Sequence, residues 1–182
     1  MKNYNRLFSG SFATAFLLSL LPYVAANAST STDTNATFVQ SPKLVSATTP
    51  YTDTSIWGAT YYFTVEIPTG AKQPLQKLTF NQTAGVDTIE FDHQNTIAWE
   101  GTSKNQGKKL AVTVTKERTL TVSFDRAIAP GSTVTIGLRP YKNPMAGGIY
   151  LFGVTAFPPE QTTGEFLGFG RLQFYAPNMS QN

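Results

Sequence analysis

Beyond residue 37 the apolar positions recur with a period of two, the spacing of strands. Residues 59–67 show it most clearly. Tyr61, Phe63, Val65 and Ile67 fall on one face, with Tyr62, Thr64 and Glu66 opposite. Three further alternations follow close together: Leu110, Val112 and Val114; Leu120, Val122 and Phe124; Val134, Ile136 and Leu138. Thr, Ser and Ala occupy most of the opposite positions, as in a half-buried antiparallel sheet. Shorter strands are predicted at residues 43–49, at Leu78 and Phe80, over residues 86–92, and at Ile97 and Trp99. Over residues 86–92, Ile89 and Phe91 face one way and Glu90 and Asp92 the other.

Residues 139–175 carry six of the 14 glycines and eight aromatics, with Pro and Gly between two predicted strands, 149–157 and 170–175. Residues 149–157 are apolar on both faces, the pattern of a central strand covered on both sides. No stretch after residue 28 has a helical 3.6 repeat. Eight to ten short strands separated by turn residues predict an all-β domain: a single antiparallel Greek-key β-sandwich, immunoglobulin-like. A closed β-barrel is the alternative.

The N-terminus changes what counts as the domain. Lys2 and Arg6 precede a mostly apolar run, residues 7–24, and Ala26-Asn27-Ala28 has the small-x-small form of a cleavage site. Residues 1–28 therefore read as a signal peptide cut before Ser29. The competing reading, an uncleaved anchor, is weakened by Ser9, Gly10, Ser11, Thr14 and Pro22. Cleavage leaves roughly 150 residues, one domain: a polar leader at 29–37, a sandwich over 38–175 and a polar tail at 176–182. The chain has no cysteine, so its core must hold it without disulfides. The formal charge is +3, but Lys2 and Arg6 leave with the signal and no acid does. The remaining chain is nearly neutral. Its one basic group, Lys104, Lys108 and Lys109, lies in a polar loop, so nucleic-acid binding is not expected.

Four blocks of the sequence carry a family resemblance. They are ATYYFTVEIPTGAKQPLQKLTF, TLTVSFDRAIAPGSTVTIGLRPYKNP, GGIYLFGVTAFPP and FLGFGRLQFY, in order between residues 59 and 175, within a resemblance that covers about residues 43–175. Together they resemble DUF2808, a cyanobacterial exported family of unknown function. The resemblance implies an envelope or secreted setting and supplies no catalytic or binding residues. SFDRAIAPGSTVTI is loosely similar to the strand-turn-strand unit of small periplasmic copper-carrying sandwiches. Those proteins bind copper through several His and Met residues. Past residue 28 this chain has only His93, Met145 and Met179.

The candidate chemistry is sparse. His93 is the only histidine, and no G-x-S-x-G turn accompanies it, so a serine triad has little to build on. A pair of acids for glycosidase chemistry can always be named among 11, and naming one has no force. Glu90, Asp92 and His93, with Asp87 close in sequence, form a candidate cation site, set against the plain reading of an acidic strand face. Trp57, Trp99, Tyr51, Tyr61 and Tyr62 are candidates for a sugar-stacking platform, set against ordinary core packing. Among them Trp57, with Tyr51, sits amid loop signals and is the better choice. Arg139 and Arg171 are expected to pair with Asp125 or Glu165, or to hold an anion. Asn35, Asn81 and Asn178 begin glycosylation-type sequons.

The expectation is an exported, non-catalytic envelope protein. It needs no cofactor and binds a protein or a polysaccharide in the periplasm or at the cell surface. It has no transmembrane helix once the signal is removed. The alternative is a periplasmic metal-binding or carrier protein built on Glu90, Asp92 and His93.

Overall fold

A computed structural model describes residues 37–104, 106–116 and 119–176. The signal segment, residues 29–36 of the leader and residues 177–182 of the tail lie outside the described residues, as do the sequons at Asn35 and Asn178. The sandwich lies within one compact unit, Asp33–Asn182. Every residue of its hydrophobic core, from Phe38 to Phe174, falls inside that unit, so it carries what it needs to fold on its own.

Ten strands build it: β1 (Lys43–Thr48), β2 (Tyr61–Glu66), β3 (Leu75–Ala84), β4 (Ile97–Glu100), β5 (Lys109–Leu110), β6 (Val112–Lys116), β7 (Leu120–Ile128), β8 (Thr133–Leu138), β9 (Gly148–Phe157) and β10 (Glu165–Phe174). They form two separate five-stranded sheets, ordered β1-β2-β8-β4-β5 and β10-β9-β3-β7-β6. All strand pairs are antiparallel. The fold is therefore the β-sandwich, and the closed barrel is set aside.

The alternating faces meet between the sheets. Tyr61, Phe63 and Val65 of β2 and Val134, Ile136 and Leu138 of β8 are fully buried from one side. Leu78 and Phe80 of β3, Val122 and Phe124 of β7, and Tyr150, Phe152 and Val154 of β9 meet them from the other. The layers interlock through rings. Phe63 lies 4.9 Å from Phe80 and 5.9 Å from Phe152, and Tyr61 lies 5.5 Å from Phe174, centroid to centroid. Gly170 makes room for this: a Cβ there would stand 2.5 Å from the Phe63 ring and 2.9 Å from Ala47.

Four expectations change. Residues 86–92 do not form a strand. Gly85 turns the chain at φ +131°, and the Gln82 side chain takes the backbone groups a ladder would use. Its Nε2 donates to Asp87 O (2.7 Å) and its Oε1 accepts from Ile89 N (2.9 Å). Ile89 and Phe91 still reach the core. Residues 110–115 are not one strand either. The chain leaves the first sheet at Leu110 and enters the second at Val112, with Ala111 alone between. In β8, Val134 to Leu138 are buried on both faces, because Thr135 lies beneath residue 101 and its Oγ1 donates to Gly101 O at 2.8 Å. Lastly, β9 is interior to its sheet, between β10 and β3, but its outward face is not covered: Ile149 is 47% exposed.

Gly170→Ala forces the Phe63 ring out of its seat. We expect a loss of about 1–3 kcal/mol in urea unfolding, with an unchanged m-value.

Candidate functional site

The loops at one end of the sandwich gather around a buried asparagine. Asn143 is 1% exposed. Its Nδ2 donates to Tyr51 O (3.0 Å) and Asp53 O (2.8 Å), and its Oδ1 accepts from the Tyr61 hydroxyl (2.9 Å). Its backbone N–H donates to Ile56 O at 2.8 Å. One side chain thus ties residues 51–56 to the segment that follows β8. A buried amide with its hydrogen bonds made is stable, and one with an orphaned partner is not. Burial, and secondarily the neighbouring Tyr150, push the Tyr61 phenol well above the ordinary tyrosine value.

A second set of bonds fixes the neighbouring turn. Asp87 Oδ2 accepts from the backbone N–H of Met145 (2.7 Å) and Ala146 (2.9 Å). The Tyr150 hydroxyl donates to Ala146 O at 2.9 Å. Tyr141 N donates to Glu90 O at 3.0 Å, and Asp92 N to Arg139 O at 2.8 Å. Residues 86–90 and 141–145 are held side by side, with a groove of about 470 Å³ between them. Val86, Tyr141 and Met145 stand at its rim, each more than half exposed.

Trp57 lies beside this groove. It is 73% exposed, its backbone bridges to Lys142, and Lys142 Nζ sits 5.7 Å from its ring centroid. Lys142 also lines the groove and so joins the two features. Tyr51 is 53% exposed on the same loop. The other aromatic candidates are built into the sandwich. Tyr61 is fully buried, and Trp99 is 4% exposed, its ring in edge contact with Tyr62 at 5.8 Å.

Glu90, Asp92 and His93 do not converge. Among the described residues no group of three or more His, Asp or Glu is arranged to hold a metal ion. Glu90 is exposed on the groove. Asp92 caps the short 3-10 turn His93–Asn95, accepting from Gln94 N (3.1 Å) and Asn95 Nδ2 (2.6 Å). The Asn95 bond first, then the backbone amides and Arg139, hold its carboxyl below the usual value. His93 Nε2 is buried without a partner. Asp87, the fourth residue considered, is occupied by the backbone amides at 145 and 146. The arginines do not make the expected pairs. Arg171 Nη2 donates to Gln173 Oε1 at 2.9 Å, and Glu165 accepts instead from Ser41 Oγ at 2.6 Å.

Tyr141, Met145 and Val86 were not foreseen. The available signal was the pair Pro140 and Pro144, which bracket Tyr141, Lys142 and Asn143 and mark a rigid loop after a strong strand.

The molecule is thus a cysteine-free β-sandwich that fixes a groove, with Tyr141 at its rim, by side-chain-to-backbone bonds. It belongs to the family described as protein of unknown function DUF2808, whose model matches residues 35–174. No curated protein matches the sequence. Among solved structures it is similar to BslA, a bacterial hydrophobin, with TM-score 0.45 and 14% identity over 75% of this chain and 95% of that one. It is also similar to the collagen-binding domain of a Staphylococcus aureus adhesin, with TM-score 0.37 and 8% identity over 65% and 88% of the two chains. A third likeness is to the CssB subunit of an enterotoxigenic Escherichia coli colonization factor, complemented with a donor strand from CssA. Its TM-score is 0.33, with 8% identity over 75% and 94%. Likenesses at this level carry nothing about function.

A neutral Tyr61 in the fold faces a phenol that ionises freely in the unfolded chain. Its stabilisation is full below the ordinary value of 10.0 and is lost as pH rises above it. Tyr61→Phe leaves Asn143 Oδ1 without its donor. We expect a loss of about 1–3 kcal/mol at neutral pH and a shallower fall in stability above pH 10, read by urea unfolding across pH.

Proposed function

We propose that this is an exported, non-catalytic envelope protein whose loop end binds a polysaccharide or a protein partner in the periplasm or at the cell surface. The observation that carries the reading is Trp57. A large indole, 73% exposed, presents a broad apolar face to solvent. Here it stands on a loop locked by Asn143, with Lys142 against its ring and a groove beside it. A rigid aromatic face with polar neighbours suits the apolar face of a sugar ring, and a polysaccharide is the partner it fits best. A protein is the second. Export is supported by the signal-type pattern of residues 1–28. A non-catalytic role is supported by the single histidine, whose Nε2 is buried, and by acids that serve as caps and anchors.

The test is retention of residues 29–182 on separated polysaccharide and protein fractions of the cell envelope, with Trp57→Ala alongside. Retention on polysaccharide should fall by about tenfold or more in the variant. Equal retention of both proteins, or none of either, removes Trp57 as the contact and the reading with it.

A further inference from the structure

The outward face of the second sheet divides into two kinds of chemistry. On β3, β7 and β6 the outward positions are mostly Thr, Ser and Asn. On β9 and β10 they include Ile149, Leu151, Phe157, Phe166 and Phe169. Phe166 and Phe169 are each 55% exposed. Three residues apart on a regular strand, they would point to opposite faces. An irregularity between Phe166 and Gly168 shifts the register, so Phe166 pairs with Thr155 and Phe169 with Gly153 on the same outward side. Leu167, the extra residue, packs against the core. The two rings meet edge to face, 5.1 Å apart, above Gly153, where a Cβ would stand 3.3 Å from one ring and 3.7 Å from the other. The bulge turns both aromatics to solvent although the core needs neither.

Around the aromatic patch the outward charge has one sign, the exposed acid of this sheet, Asp125, standing on β7. The outward charged side chains of β3, β9 and β10 are Lys77 and Arg171. The only acid in these strands, Glu165, faces inward by register and binds Ser41. Lys77 Nζ lies 4.2 Å over the Phe157 ring, a cation resting on the apolar patch. The chain also enters the sandwich here: Thr37 and Phe38 line a small cavity with Gly164 and Glu165, next to Phe157 and Phe166.

We infer that the outward face of β9 and β10 docks on an anionic lipid surface. Phe166 and Phe169 enter the boundary between headgroups and acyl chains, and Lys77 and Arg171 pair with the headgroup charge. Two other occupants fit less well. A second copy placed face to face brings four cations into one apolar seam with no outward acid on β3, β9 or β10 to match them. A planar sugar surface cannot stack on both rings, which stand at 70° to each other.

The fragment Asp33–Asn182, which holds the whole core and lacks the apolar run, is floated with vesicles of phosphatidylcholine alone or with about a third phosphatidylglycerol. It should rise with the anionic vesicles and be released by salt. Phe166→Ser with Phe169→Ser should reduce the bound fraction by about tenfold or more. Lys77→Gln and Arg171→Gln should each reduce it about fivefold, on anionic vesicles only. An unchanged urea midpoint checks that the double variant is folded, and the charge variants carry the test independently. Trp57→Ala should leave flotation unchanged, which separates this face from the loop-end site. No flotation, flotation indifferent to all four substitutions, or self-association in sedimentation that the phenylalanine pair alone governs, each overturns the inference.

Discussion

Phe63 holds the two sheets together, and it does so because Gly170 leaves it a place. A sandwich without disulfides must draw its cohesion from the contact between its layers, and here that contact is aromatic. Phe63 crosses the midline to reach Phe80 and Phe152, and Tyr61, beside it on β2, reaches Phe174. With a side chain at 170 the ring has no seat, the layers stand further apart, and the rest of the interdigitation loosens with them. The sequence stretch densest in glycine and aromatics thus supplies, at Gly170, a place where backbone and ring come close.

The loop end obeys a different rule. Past Leu138 the regular ladder gives way to single bridges, such as Phe91 to Pro140 and Trp57 to Lys142. Order is kept by side chains that bond to backbone: Asn143 on one flank, Asp87 and Gln82 on the other. Such bonds are directional and leave the backbone they hold little freedom. That is why exposed groups like Trp57 and Tyr141 stand on a fixed base instead of a loose loop.

Period-two alternation gave away the strands that are polar on one side, β2 and β7, and the DUF2808 blocks named the family whose model matches residues 35–174. It failed where hydrogen-bond partners, not alternation, decide the backbone. Residues 86–92 alternate as a strand does, but the nearby Gln82 side chain and the turn at Gly85 take their backbone groups out of any ladder. Nothing local splits residues 110–115, because the split depends on β4 and β7 claiming the two halves for different sheets. Trp57 and Trp99 look alike by composition; the loop signals around Trp57 separated them, and the structure leaves one exposed and covers the other. Asn143 carried no signal at all, since a buried amide reads as an ordinary loop asparagine until its partners are known. The apolar double face of β9 suggested cover on both sides, whereas one side stays open.

The passage at Ala111 gives the sandwich the mechanics of a book. Along one margin the sheets share a continuous chain, β5 into β6, and that margin is a spine. Along the other, β1 and β10 touch without any covalent tie between neighbours. Other crossings, β2 into β3 and β7 into β8 among them, stitch the leaves between these margins, so the fore-edge, where the Phe63 ring lies against Gly170, is the margin closed by packing alone.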